Sequence, residues 1–243
     1  MPSKSSRRAV VLLSGGLDSA TTLWIARARG FRCHALLVDY GQRHRRELQA
    51  ARRLARLAGC PAEVVRLRLP WGGSALTDRR VAVPLGRSEA AMRRGIPATY
   101  VPARNTLFLG LALGHAEAIG ATRLFIGAHV HDFSGYPDCR PAFYRAFAQA
   151  ARQGTKAGVE GRPIRIETPL IRWTKAQIIR RGLRLGVPYA LTWSCYLGGR
   201  RPCGRCDSCR LRAKGFREAG AADPALSASE PAPNPLAIGW GGE

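Results

Sequence analysis

Lysine is nearly missing from this chain, occurring only at Lys4, Lys156, Lys175 and Lys214. Aromatic residues make up 7%, and methionine occurs twice. Acidic residues are scarce too: 16 Asp and Glu face 39 Lys and Arg, for a formal charge of +23. The excess is therefore almost all arginine, and with the abundant alanine it reads as compositional bias as much as a functional surface. A basic domain can bind nucleic acid through phosphates. RNA-recognition, KH and helix-turn-helix signatures are absent, however, so direct tRNA binding is not expected. An anionic substrate such as ATP would also gain from the field. No apolar run approaches the roughly 20 residues that cross a bilayer. Met1 to Arg8 is polar and basic, unlike a signal peptide. A cytoplasmic protein with no membrane partner is expected.

Two common phosphate signatures are also missing. No lysine follows the first glycines, which excludes the G-x-x-x-x-G-K-[ST] loop, and G-x-G-x-x-G does not occur there either. What stands in their place is Ser14-Gly15-Gly16-Leu17-Asp18-Ser19, after the short apolar run Ala9 to Leu13 and before a helical spacing over Ala20 to Arg29. Strand, glycine turn and helix in that order aim unpaired N–H groups and a positive dipole end at an anion. The S-G-G-x-D-S pattern resembles the pyrophosphate loop (PP-loop) of ATP-dependent enzymes that cleave between the α and β phosphates. The nucleotide run expected from it is Leu13, Ser14, Gly15, Gly16, Leu17, Asp18, Ser19, Ala20, Thr21, Thr22 and Leu23.

Further along, strands are predicted over Cys33 to Val38, Glu63 to Leu69, Arg123 to Ile126 and Pro163 to Glu167. Helices are predicted over Arg45 to Ala58, Leu107 to Ile119, from about Pro141, over Thr174 to Leu185, and from Ser208 to Ala219. The alternation implies a doubly wound, mostly parallel five-stranded α/β sheet, Rossmann-like in plan. The helix from Leu107 is apolar nearly all round and should lie buried. His34, Cys33 and Cys60 fit packing roles better than ligand roles. Pro70 to Ala98 lacks a period and is expected to be a flap near the active site or a partly disordered insertion.

Arg104, just before its helix, can reach a phosphate or carboxylate with two hydrogen bonds. Lys175, in the first turn of its helix, conflicts with the dipole unless an anion is near. Thr174 and Gln177 suit a capping box there. Asp132, Tyr136, Asp138 and Arg140 lie in a turn-rich stretch that suits either a polar heterocycle or a plain surface turn. Cys195, Cys203, Cys206 and Cys209 (C-x7-C-x2-C-x2-C) suit one structural tetrahedral Zn²⁺, with an iron–sulfur cluster as the rival. Cys139 stands apart and fits a buried structural thiol better than a reactive one. The domains expected are a PP-loop ATP-binding unit over residues 1–190, a zinc-binding segment over 191–222, and a disordered tail over 223–243.

Several blocks then agree in order with one family. Leu13 to Ser19, Asp39-Tyr40-Gly41-Gln42-Arg43-His44, Val101-Pro102-Ala103-Arg104-Asn105 and Gly127-Ala128-His129 resemble the 7-cyano-7-deazaguanine synthases. So do Ser134 to Arg140, Glu167 to Leu170, Trp193-Ser194-Cys195 and Cys203 to Phe216. The resemblance spans about residues 9–224; Ala20, where a threonine is common, and the tail depart from it. It implies a carbon–nitrogen ligase of queuosine biosynthesis with the adenine nucleotide alpha hydrolase fold. Such an enzyme turns 7-carboxy-7-deazaguanine, ammonia and ATP into the nitrile through adenylated acid and amide intermediates. It implies Asp18 on Mg²⁺, with Lys175 and Arg104 stabilising charge on the phosphates. Asp132, Tyr136, Asp138 and Arg140 would recognise the base, and a homodimer is expected. A tRNA thiolase or lysidine-type ligase on the same fold is the alternative.

Overall fold

The computed structural model describes residues 7–43, 45–130 and 135–227. Five strands, β1 (Arg8–Leu12), β2 (Arg32–Asp39), β3 (Ala62–Arg66), β4 (Arg123–Phe125) and β5 (Arg165–Glu167), form one parallel sheet in the order β3-β2-β1-β4-β5. Val10 of β1 lies between His34 and Leu124 in register. The strand order reverses between β1 and β4, the place where an open α/β sheet forms a ligand crevice. The fold class expected from the sequence is therefore the one observed.

Alternate residues of β1 feed two cores. Ala9 and Val11 pack with α1 (Leu17–Ala28), α2 (Arg45–Leu57), α7 (Lys175–Arg184) and α8 (Asp207–Ala219). Val10 and Leu12 pack with α4 (Arg104–Ala118) and α5 (Pro141–Gly154) on the other face. Short helices α3 (Glu89–Met92), α6 (Lys156–Val159) and α9 (Pro224–Ser227) complete the chain. No helix among the described residues is long and apolar enough to cross a membrane.

Several expectations shift. The first helix begins at Leu17 and not Ala20, because Gly16 is extended and caps it, which places Asp18 and Ser19 in the first turn. β3 stops at Arg66 and not Leu69, since its partner β2 ends at Asp39, opposite Arg66. The α4 helix is not buried all round: Leu109, Ala112 and Ala116 face the sheet, whereas Thr106, Gly110 and Gly114 are exposed. Residues 70–98 are tied to the fold at several points and are not a disordered insertion, which leaves the expectation of a segment beside the active site, where Leu76 lies. Arg87 forms an ion pair with Asp207, Lys214 reaches Glu89 at 2.5 Å, and Leu85 bridges to Cys206. The start of the expected tail belongs to the fold, because Asp223 is buried against Arg212 at 2.7 and 2.8 Å. Residues 228–243 lie outside the described residues.

Candidate active site

The glycine turn after β1 closes around one hydroxyl. Ser19 Oγ accepts from the N–H of Ser14 and of Gly15, both at 3.2 Å, and stands 3.1 Å from the carbonyl of Gly16. Two backbone donors thus converge on one oxygen, the arrangement that binds oxyanions at helix N-termini. Gly15 has φ +93°, and a Cβ there would lie 2.1 Å from the Glu47 carbonyl of α2. Only glycine lets the turn pack so tightly. From the other side the Trp193 N–H donates to the Gly15 carbonyl at 3.0 Å.

Behind the turn, Lys175 Nζ lies 2.9 Å from both carboxylate oxygens of Asp18. His129 Nε2 is 3.3 Å from Asp18 Oδ2 and 3.0 Å from Lys175 Nζ. Burial alone would raise the Asp18 pKa; the Lys175 ammonium and the His129 ring hold it well below the usual carboxylate range. Thr174 caps α7 with the full capping box to Gln177, so Lys175 enters the first turn in a fixed position. The anion that the helix start called for is Asp18.

A cavity of about 260 Å³ runs from this cluster along the strand ends. Leu13, Ser14, Gly16, Leu17, Asp18 and Ser19 line it, together with Lys175, Arg104 and Tyr136. Gly15, Ala20, Thr21, Thr22 and Leu23 do not. The hydroxyls of Thr21 and Thr22 turn back to the carbonyls of Leu17 and Asp18 at 2.9 Å, and Thr21 also meets Tyr189. Among the described residues expected to recognise the base, only Tyr136 reaches the wall. Asp138 Oδ2 accepts the Asn105 N–H at 3.0 Å and so caps α4. Arg140 is exposed at the start of α5, and Asp132 lies outside the described residues.

Sequence reasoning gave no role to His129 or Tyr40, both of which line the cavity. Each follows the end of a strand, β4 and β2, and that position was the signal available.

The four cysteines come together as expected. The sulfurs of Cys195, Cys203, Cys206 and Cys209 all lie within 4.8 Å of one another. A tetrahedral S₄ site with Zn–S near ~2.3 Å needs sulfur spacings of roughly 3.8 Å, so the set fits one ion. Backbone N–H groups of Cys203 and Cys206 donate to the Cys195 and Cys203 sulfurs at 3.3 Å. Ala75 and Val83 of the pinned 70–98 segment pack on the cluster.

Residues 8–220 match the family model described as Queuosine biosynthesis protein QueC. The 7-cyano-7-deazaguanine synthase of Anaeromyxobacter dehalogenans is 61% identical over 222 residues, covering 90% of this chain and 95% of that one. The enzyme of the same name from Stutzerimonas stutzeri is 57% identical over 224 residues, covering 90% and 98%. Among solved structures, NMN synthetase from Francisella tularensis is similar at a TM-score of 0.45 and 15% identity, covering 91% of this chain and 81% of that one.

Proposed function

This chain belongs to the family of queuosine biosynthesis protein QueC, and from that membership we propose that it converts 7-carboxy-7-deazaguanine, ammonia and ATP into 7-cyano-7-deazaguanine. A carboxylate is a poor electrophile, so it is first adenylated at the α-phosphorus and pyrophosphate departs. Ammonia displaces AMP to give the amide, and a second ATP activates the amide oxygen for loss, leaving the nitrile.

The observation that carries this reading is the turn around Ser19 Oγ, which opens into the same cavity as Lys175, Asp18 and Arg104. Ser14, Gly16 and Ser19, the polar part of the turn that lines the cavity, would hold an oxygen of the departing pyrophosphate. Lys175 is aimed at the same place, where preorganised charge stabilises the leaving group without reorganisation. Arg104 is a further cation on the cavity wall. Asp18 offers hard oxygen ligands for Mg²⁺, which when bound supplies charge neutralisation on the phosphates. To take up that role Asp18 must give up part of its contact with Lys175. The four cysteines suit a structural Zn²⁺, which fixes the irregular 191–206 stretch against α8 and leaves residues 1–190 as the nucleotide-binding unit. Family membership also supports a cytoplasmic homodimer.

The deciding experiment supplies the free carboxylated base, ammonia and Mg·ATP with no RNA present. Release of AMP and pyrophosphate with appearance of the nitrile is expected. Turnover only when tRNA is added would favour a tRNA-modifying ligase, and ADP as product would end the proposal.

A further inference from the structure

Arg104 differs from two other inward-facing arginines. Arg87 has the Asp207 carboxylate, and Arg212 has Asp223, the Thr192 hydroxyl and the Tyr189 carbonyl. Arg104 lines the cavity, yet no carboxylate among the described residues pairs with it. Its hydrogen bond is to the Tyr40 hydroxyl, at a long 3.5 Å. A cation drawn out of bulk water without a counter-ion is costly, so a cavity that keeps one is built for an arriving anion.

The surroundings say which kind. The guanidinium lies 6.0 Å from the Tyr40 ring centroid, and Tyr40 packs on Phe108 at 5.3 Å. Tyr136 and Cys139 complete the lining near it, and burial pushes the Cys139 thiol up to about 11, so it stays neutral. These are flat, uncharged walls, suited to a planar ring and not to a phosphate chain. The phosphate-type donors sit elsewhere in the cavity, in the Ser14 to Ser19 turn and on Lys175. A planar guanidinium matches a carboxylate with two parallel hydrogen bonds. The arginine is also fixed in place. Ala103 before it has φ +53°, a left-handed conformation rare outside glycine, and the Tyr100 hydroxyl accepts its N–H at 3.1 Å. Asp138 caps the next residue, Asn105.

We propose that Arg104 is the receptor for the carboxylate of a planar aromatic acid, and the residue by which the site distinguishes the acid from neutral analogues. This rests on the function proposed above and moves Arg104 from the phosphates to the acid.

The test compares wild type with Arg104→Gln and Arg104→Lys. It measures calorimetric binding of ATP and of the free acid, and KM for the acid and for the amide intermediate. A charge-assisted bidentate pair is much stronger than a neutral contact, so Arg104→Gln should weaken the acid ~100-fold and the amide less than ~10-fold. Its Kd for ATP should stay within ~3-fold, and Arg104→Lys should recover part of the acid affinity. The melting temperature of Arg104→Gln should stay close to wild type, because the side chain is only partly buried and pairs with no carboxylate among the described residues. ATP affinity falling as far as acid affinity, or acid and amide weakening alike, overturns the assignment. Wild type that neither binds nor consumes the acid instead removes the proposed function, whatever the variants do.

Discussion

The ammonium of Lys175 sits 2.9 Å from both carboxylate oxygens of Asp18, a residue 157 positions earlier in the chain. One comes from the first turn of α1 and the other from the first turn of α7, so the pair ties the turn after β1 to a helix of the same layer. Lys175→Met would leave Asp18 charged and partly buried without its cation. A loss of about 1–3 kcal/mol in urea unfolding is expected, discounted because the Asp18 side chain keeps 27% exposure. Asp18→Asn combined with Lys175→Met should restore much of that stability while turnover stays abolished. Additive losses in the double-mutant cycle would show that the two do not interact.

The 70–98 segment is bound to the metal-binding end of the chain through Arg87–Asp207, the Gly86 N–H on the Arg205 carbonyl at 2.9 Å, and the Leu85–Cys206 bridge. Stripping the ion with a chelator should therefore loosen more than the cysteine turn. Hydrogen exchange at Gly86 and Ala75 is expected to speed up, while Val10 and Leu36 in the sheet remain protected. Unchanged exchange at Gly86 after metal loss would show that the ion pair holds the segment alone.

The five-stranded parallel sheet and the capping box at Thr174 were legible because they follow from local patterns: short β-branched runs, 3.6-residue spacing, and a Thr and Gln three apart. The Cys₄ cluster was legible for the same reason, since the spacing alone brings three of its thiols to one turn. Contacts between distant segments were not. Nothing near Pro70 to Ala98 indicates that Arg87 will find Asp207, 120 positions on. His129 was visible as a strand-end residue, but its place against Lys175 depends on where α7 starts relative to β4. Asp138 shows the opposite failure. Its neighbours read as either a recognition loop or a surface turn, whereas the fold buries its carboxylate on the Asn105 amide.

That capping contact separates two roles for the 136–140 stretch. Asp138→Ala leaves a buried N–H at Asn105 without its acceptor and should cost about 1–3 kcal/mol in unfolding free energy. Arg140→Ala removes an exposed side chain and should stay within about 0.5 kcal/mol. If Asp138 acts by holding Arg104 in position, Asp138→Asn should weaken acid binding more than ATP binding. A stable Asp138→Ala with intact α4 protection in hydrogen exchange would make the carboxylate free for substrate after all.

Cys139 faces the cavity beside Arg104, yet burial first, and the neighbouring Asp138 carboxylate second, push its thiol up to about 11 from the usual 9.0. Alkylation requires the thiolate, so near pH 8 only about one molecule in a thousand is reactive at this position. Cys60 is half-buried like Cys139, but its hydrogen bond with Cys33 lowers its pKa. With the metal-binding cysteines occupied, iodoacetamide at about pH 8 should label Cys60 well before Cys139 in peptide mass mapping. Raising the pH past about 10 should bring Cys139 labelling up, and filling the cavity with acid or ATP should suppress it again. Rapid labelling of Cys139 at neutral pH would mean that the thiol is activated, and the wall next to Arg104 would then carry a second charge when the acid arrives.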